Sequence, residues 1–273
     1  MKASGAPRVV GHLILLVFAV TALFPLLLVG INSLKLSVQI IDNPLALPTT
    51  FAWSNFSEAW QYGHFATGFV NSLLLTATTV VIVLICSSLA GYVLAGKKIA
   101  IWPAVIVYFM VSMTVPIQLF LFPLYFGFAH LNLLGNVFAV GVVIAAMNMP
   151  LSVFLMRTFF LNVPKEIEEA AVMDGASTLQ SLYRVILPIV SPGLITVSII
   201  VGLNAWNEFL ISSTFLQGNY TATLGYLSMN GTFSTNEGVM MAGAVILILP
   251  ILAIFIALQR YVVDGLVNGA VKG

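Results

Sequence analysis

Six stretches of this chain run about twenty residues or more with almost no charge: roughly 9–31, 68–95, 101–126, 134–156, 189–215 and 239–258. A helix needs about 20 residues to cross about 30 Å of hydrocarbon, so each run is long enough to span a bilayer. Hydrocarbon offers backbone amides no partner, which leaves helices as the spanning structure for runs of this length. The expected fold is therefore all-α, a polytopic membrane protein with six transmembrane helices in one domain over residues 1–273. Composition agrees, with 60% hydrophobic and only 7% charged residues and a mean hydropathy of +1.08. A water-soluble domain carries about 25% charge. A net charge of +1 argues against a nucleic-acid partner.

Pro116 and Pro123 interrupt the third run and Pro250 the sixth. Membrane helices tolerate such prolines when neighbours satisfy the freed carbonyls. The first run follows Lys2 and Arg8, is too long for a cleaved leader, and is read as a retained anchor. The single cysteine, Cys86, permits no internal disulfide and no Cys-based metal site, and is expected to pack. No metal-ligand spacing is present, since His12, His64 and His130 lie far apart.

Lysines and arginines set the expected orientation. Lys2, Arg8, Lys97, Lys98, Arg157, Lys165, Arg184, Arg260 and Lys272 fall on one side of the six spans, and Lys35 on the other. The positive-inside rule places both termini and the 157–188 segment in the cytoplasm. Lys35 is expected to be a solvated or snorkelling charge. The outward segments 32–67, 127–133 and 216–238 are too short for a conventional domain. The last is polar, and long for a plain connector.

The segment 162–188 carries the most information. Pro164 suits a first helical turn, and Glu166, Glu168 and Glu169 suit the positive end of a helix dipole. Val163, Ile167, Ala170 and Ala171 recur at helical spacing, and Asp174-Gly175 stops the helix. Ser177 and Gln180 form a capping-box pattern for a second helix. Its apolar face would comprise Leu179, Leu182, Tyr183, Ile186 and Leu187, and Pro188 would end it. Two short helices would thus meet at a bend on the cytoplasmic face. A membrane-surface helix carries Lys and Arg on its polar face. Here three glutamates oppose Lys165, which favours docking to a protein partner.

Glu169-Ala170-Ala171, three residues, Gly175, nine residues and Val185-Ile186-Leu187-Pro188 resemble the EAA signature of binding-protein-dependent ABC importer permeases. Val185 stands where that family usually has Ile. Asn71-Ser72-Leu73, Pro116-Ile117-Gln118, Pro123-Leu124-Tyr125, Trp206-Asn207-Glu208-Phe209, Gln259-Arg260-Tyr261 and Gly269-Ala270-Val271-Lys272-Gly273 are similar to its carbohydrate-uptake branch, notably the smaller permease subunit of maltose-type transporters. The resemblance implies a bacterial or archaeal cytoplasmic-membrane subunit that translocates a sugar or oligosaccharide. It also implies a homologous second permease, an ATPase dimer and an extracytoplasmic solute-binding protein. Glu169, Ala170, Ala171, Asp174, Gly175, Leu187 and Pro188 would couple to the ATPase, and the C-terminal tail would reach it too. The 216–238 loop would probe the binding protein. The chain has no GxxxxGK[ST] loop, so ATP and Mg are expected on the ATPase and no cofactor, metal or catalytic residue here.

Glu208 is the one carboxylate inside the six apolar runs. Intramembrane charges face a cavity or a partner. With Asn204, Trp206 and Asn207 it would offer a stacking ring and amides suited to a sugar, or else it would pair with another helix. Gln118 and Asn148 are further candidates for the path, or for bonds between helices. Gly91 and Ala95 suggest a close-packing face. Rival readings are an importer for a glycerol phosphodiester, a secondary transporter using Glu208 as its coupling-ion site, and a purely structural membrane protein.

Overall fold

The computed structural model describes residues 5–96, 102–232 and 236–270. Lys2, Lys97, Lys98 and the terminal Val271-Lys272-Gly273 lie outside the described residues. Among the described residues the chain is helical, with no strand. Four helices are long and apolar enough to cross a membrane, and six spans result if two bent pairs each count as one. The chain divides into two compact units, Met1–Ala66 with Gly225–Pro250, and Thr67–Leu224 with Ile251–Gly273.

In the first unit, α1 (Gly5–Asn32) is apolar on every side. Val9, Leu13, Val17, Phe18 and Leu27 are all more than half exposed. A helix with no polar face needs lipid or another protein around it. At its end the chain turns sharply into α2 (Ser37–Asp42) and then α3 (Ser54–Tyr62). Lys35 is only 1% exposed, and its Nζ donates to the carbonyls of Asn43 (3.3 Å) and Pro44 (3.1 Å). The solvated lysine expected here is therefore corrected. Two carbonyls replace water around the ammonium, as a buried charge requires. The Asn55 amide donates to the carbonyls of Ser33 and Lys35, each at 2.9 Å, and fastens α3 to the same turn.

Residues 216–238 are not a plain connector either. They hold α13 (Ala222–Thr232), on which Met229 is buried. Asn236 then accepts from the Val239 N–H (3.2 Å) at the start of α14 (Glu237–Ala270). That helix runs well past the expected end near 258, so Gln259-Arg260-Tyr261 continue its backbone.

The second unit begins with the body of α4 (Phe65–Gly96), about 48 Å long. Next come α5 (Trp102–Thr114), a 3₁₀ turn (Ile117–Phe120) and α6 (Leu121–His130). The axis bends by 85° between them, at the first of the two prolines that interrupt the third run. Pro116 is the cause, because it starts the turn in extended conformation (φ −66°, ψ 129°) and supplies no amide. α7 (Val137–Leu161) is N-capped by Asn136, whose side chain accepts from Phe138 and Ala139 N–H. α8 (Lys165–Met173), α9 (Thr178–Ser181), a π-helical turn (Leu182–Ile186) and α10 (Leu187–Ile189) lead into α11 (Ser191–Trp206), bent by 77° at Val190. The expected fifth span over 189–215 is likewise broken. α11 stops at Trp206 and α12 (Leu210–Phe215) starts afresh.

Burial of apolar groups drives folding in water, but against lipid tails it gains little, so close packing must hold spans together. Glycines supply it here. A Cβ on Gly91 would meet Met156 and the Arg157 backbone at 2.9–3.2 Å, and one on Gly193 would meet the Phe159 ring at 2.5 Å. The close-packing face inferred at Gly91 is thus turned against α7. Leu75, Val140, Ile144, Ile211 and Phe215 form one buried cluster, and Val83, Met156, Leu182, Ile186, Val197 and Val201 another. Cys86, expected to pack, is instead exposed on α4, while Ser87 beside it is fully buried.

Candidate functional site

α8 emerges from Pro164 with Glu166 and Glu168 in its first turn, where they oppose the helix dipole. Its far end closes with the Ala176 N–H on the Ala171 carbonyl (3.0 Å) and the Gly175 N–H on the Val172 carbonyl (2.9 Å). This is the Schellman pattern, which needs a left-handed residue at Gly175. Gly175 has φ +83°, with open space where a Cβ would be. Its requirement is therefore conformational, not steric. Ser177 and Gln180 make both halves of the capping box.

The second helix departs from expectation. Its π-helical turn throws the apolar register off, so Leu182 and Ile186 are buried while Tyr183 is 47% and Leu179 61% exposed. Pro188 does not end it, since helix continues to Ile189 before the bend. Leu187 is half-buried and Pro188 exposed.

Among the coupling candidates, Ala171 is buried under α8, whereas Glu169, Ala170 and Asp174 are exposed. Beside them Met173 is 87% and Val172 54% exposed. Glu168 turns the other way and accepts a hydrogen bond from the Tyr92 hydroxyl on α4. The Tyr92 ring packs edge-on against Phe160, with centroids 5.8 Å apart. A cleft of about 680 Å³ opens here, lined by Tyr92, Gly96, Pro164, Lys165, Glu168 and Glu169 among others. Tyr92 had no signal in the sequence beyond being the one tyrosine of its apolar run.

The candidates in the membrane-embedded part divide into separate groups. Asn148 and Asn204 come together, with Asn204 Nδ2 donating to Asn148 Oδ1 at 3.0 Å between α11 and α7. Asn148 also donates to the Ile144 carbonyl (2.9 Å). Asn204 and Asn207 are exposed, and Asn207 donates to the Leu203 carbonyl of its own helix. Gln118 is exposed on the 3₁₀ turn at the break of the third span.

Glu208 is half-buried and caps α12. Its carboxylate accepts from the Ile211 N–H (2.6 Å), the Ser212 N–H (2.8 Å) and the Ser212 hydroxyl (2.9 Å). Broken helices leave N–H groups in need of such acceptors. Trp206 occupies another face of α11, tilted against Phe69 at 6.0 Å. It lines an apolar pocket of about 210 Å³ with Thr76, Val80, Ile254 and Phe255. The indole Nε1 is buried there without a hydrogen-bond partner among the described residues, and so is Thr76 Oγ1. The single ring-and-amide cluster read from the sequence is thus split, with Trp206 apart from Asn204.

Broken apolar spans and close-packed glycines define a class: a multi-pass α-helical membrane protein. Residues 87–267 match the family of binding-protein-dependent transport system inner membrane components, and the chain belongs to that family. It is 31% identical to a probable ABC transporter permease protein, YurM of Bacillus subtilis, over 95% of this chain and 87% of that protein. The arabinooligosaccharides transport system permease protein AraQ of Halalkalibacterium halodurans is 31% identical over 93% of each chain. The diacetylchitobiose uptake system permease protein DasC of Streptomyces coelicolor is 31% identical over 100% of each. A solved bacterial ABC transporter involved in the import of the acidic polysaccharide alginate contains a chain of 25% identity. It superposes with a TM-score of 0.78, covering 96% of this chain and 99% of that one. Membership implies an ATPase and a solute-binding protein as partners.

Proposed function

We infer that this chain is a noncatalytic permease subunit that passes a sugar or oligosaccharide, delivered by an extracytoplasmic binding protein, across the cytoplasmic membrane. The observation that carries the reading is the knob. Met173 at 87% and Val172 at 54% exposure sit between the exposed carboxylates of Glu169 and Asp174. An apolar tip inside a charged rim is the anatomy of an interface core awaiting its partner. α8 would seat in a groove of an ATPase dimer, which would bind ATP and Mg and move α8 as it closes. A homologous second permease would complete the pathway, and both termini would be cytoplasmic.

The sugar assignment draws on the relatives, whose names include arabinooligosaccharides and diacetylchitobiose. The exposed Asn204 and Asn207 support it, since amides can both donate to and accept from hydroxyls. In hydrocarbon such amides require a polar surface to face.

Two substitutions test the docking role. Glu169→Lys reverses a charge on the rim, and Gly175→Val places a β-branched residue at positive φ, costing roughly 1–2 kcal/mol at the bend. Both variants should insert normally, lose uptake and retain less ATPase on co-purification. Full transport by both at normal abundance would remove the docking role.

A further inference from the structure

α8 makes a contact that the docking role does not use. Glu168 and Glu169 are neighbours in sequence, yet a helix turns about 100° per residue and sends them apart. Glu169 is exposed, whereas Glu168 is half-buried and accepts from the Tyr92 hydroxyl in a hydrogen bond that joins α8 to α4 across 76 residues of sequence. The end of α4 is itself locked. Gly91 lies against the α7 backbone, and Arg157 Nε donates to the Leu94 carbonyl at 3.1 Å. The same guanidinium sits 4.2 Å from the centroid of the Trp102 ring at the start of α5. Three spans therefore meet where Tyr92 reaches out. Tyr92 and Glu168 both line the 680 Å³ cleft, so α8 and α4 need a tie across it to move together.

We propose that the Tyr92–Glu168 hydrogen bond is that tie, passing displacement of α8 to α4, with Glu168 a positioning residue while Glu169 faces the ATPase. The proposal rests on the docking role inferred above. A hydrogen bond is directional, as transmission of motion requires, and one to a carboxylate is the stronger kind. Ala171, the buried residue of α8, supplies packing but no such direction.

The test uses the assembled importer with its ATPase, partner permease and binding protein, in which the other subunits carry no cysteine. Cys86 is the one cysteine of this chain and is exposed on α4, so a nitroxide attached there reports on that helix. Binding of AMP-PNP to the ATPase should change the nitroxide spectrum in the wild type and in Glu168→Gln, whose amide oxygen still accepts from tyrosine. In Tyr92→Phe and Glu168→Ala the nucleotide-induced change should shrink by roughly threefold or more, with normal ATPase co-purification. The double variant Tyr92→Phe/Glu168→Ala should lose no more than the worse single one. An undiminished response in Tyr92→Phe, or no response in the wild type, overturns the tie. The docking role fails separately: if Glu169→Lys and Gly175→Val both keep full transport at normal abundance, it falls whatever Tyr92 does.

Discussion

Glu208 shows how the environment of one side chain decides its role. A carboxylate inside an apolar run invites a transport function, yet here its two oxygens meet three donors at the start of α12. Glu208→Gln would replace one acceptor by an NH₂ facing those donors, and an orphaned buried donor costs roughly 1–3 kcal/mol. The expected result is less assembled complex with an unchanged transport rate per complex. Asn204→Ala should behave in the opposite way. It removes an exposed amide that donates to Asn148, so abundance should hold while the rate per complex falls. Uptake normalised to purified complex measures both. Equal rates per complex in Asn204→Ala and wild type would remove Asn204 from the path. Lys35 teaches the same lesson. Its position just beyond a span suggested water, but nothing in the sequence tells that Asn43 and Pro44 turn their carbonyls towards it.

At the level of elements, the knob was legible and the breaks were not. Asp174-Gly175 and the Ser177/Gln180 pair are local signals whose partners lie within a few residues, and both appear in the structure as read, while Pro164, read into the first helical turn, stands one residue before it in extended conformation. The π-helical turn at Leu182–Ile186 has no such signal, so the apolar spacing at Leu179 and Tyr183 misled. The third and fifth runs were each counted as one span because hydropathy reports transfer into lipid, not axis direction. Pro116 was visible, but nothing in its residue type gives an 85° bend. α2, α3 and α13 were missed because their sequences are polar and short. They are held by contacts distant in sequence, such as Ser37 Oγ on Asn236 Oδ1 at 2.9 Å. The candidate path was the least legible. Which face of α11 a residue occupies depends on helix ends, and the break after Trp206 sets those ends.

For the whole molecule, the orientation proposed from its charges can be checked directly. Reporter fusions at Gly96 and Asn162 should read cytoplasmic, and those at Asn43 and Asn219 external, since Arg157, Lys165 and Arg184 share one side. An external signal at Asn162 would overturn orientation and docking together. The bare apolar surface of α1 carries a different consequence, one for sequence change. Fluid lipid asks only that a residue be oily, whereas a neighbouring helix asks for shape. In a saturation scan of residues 13–27 scored by growth on an imported sugar, lipid contact should let Leu, Ile, Val and Phe interchange everywhere. A seam against a second subunit should instead leave intolerant positions every three or four residues, and their phase would mark which side of α1 the neighbour covers.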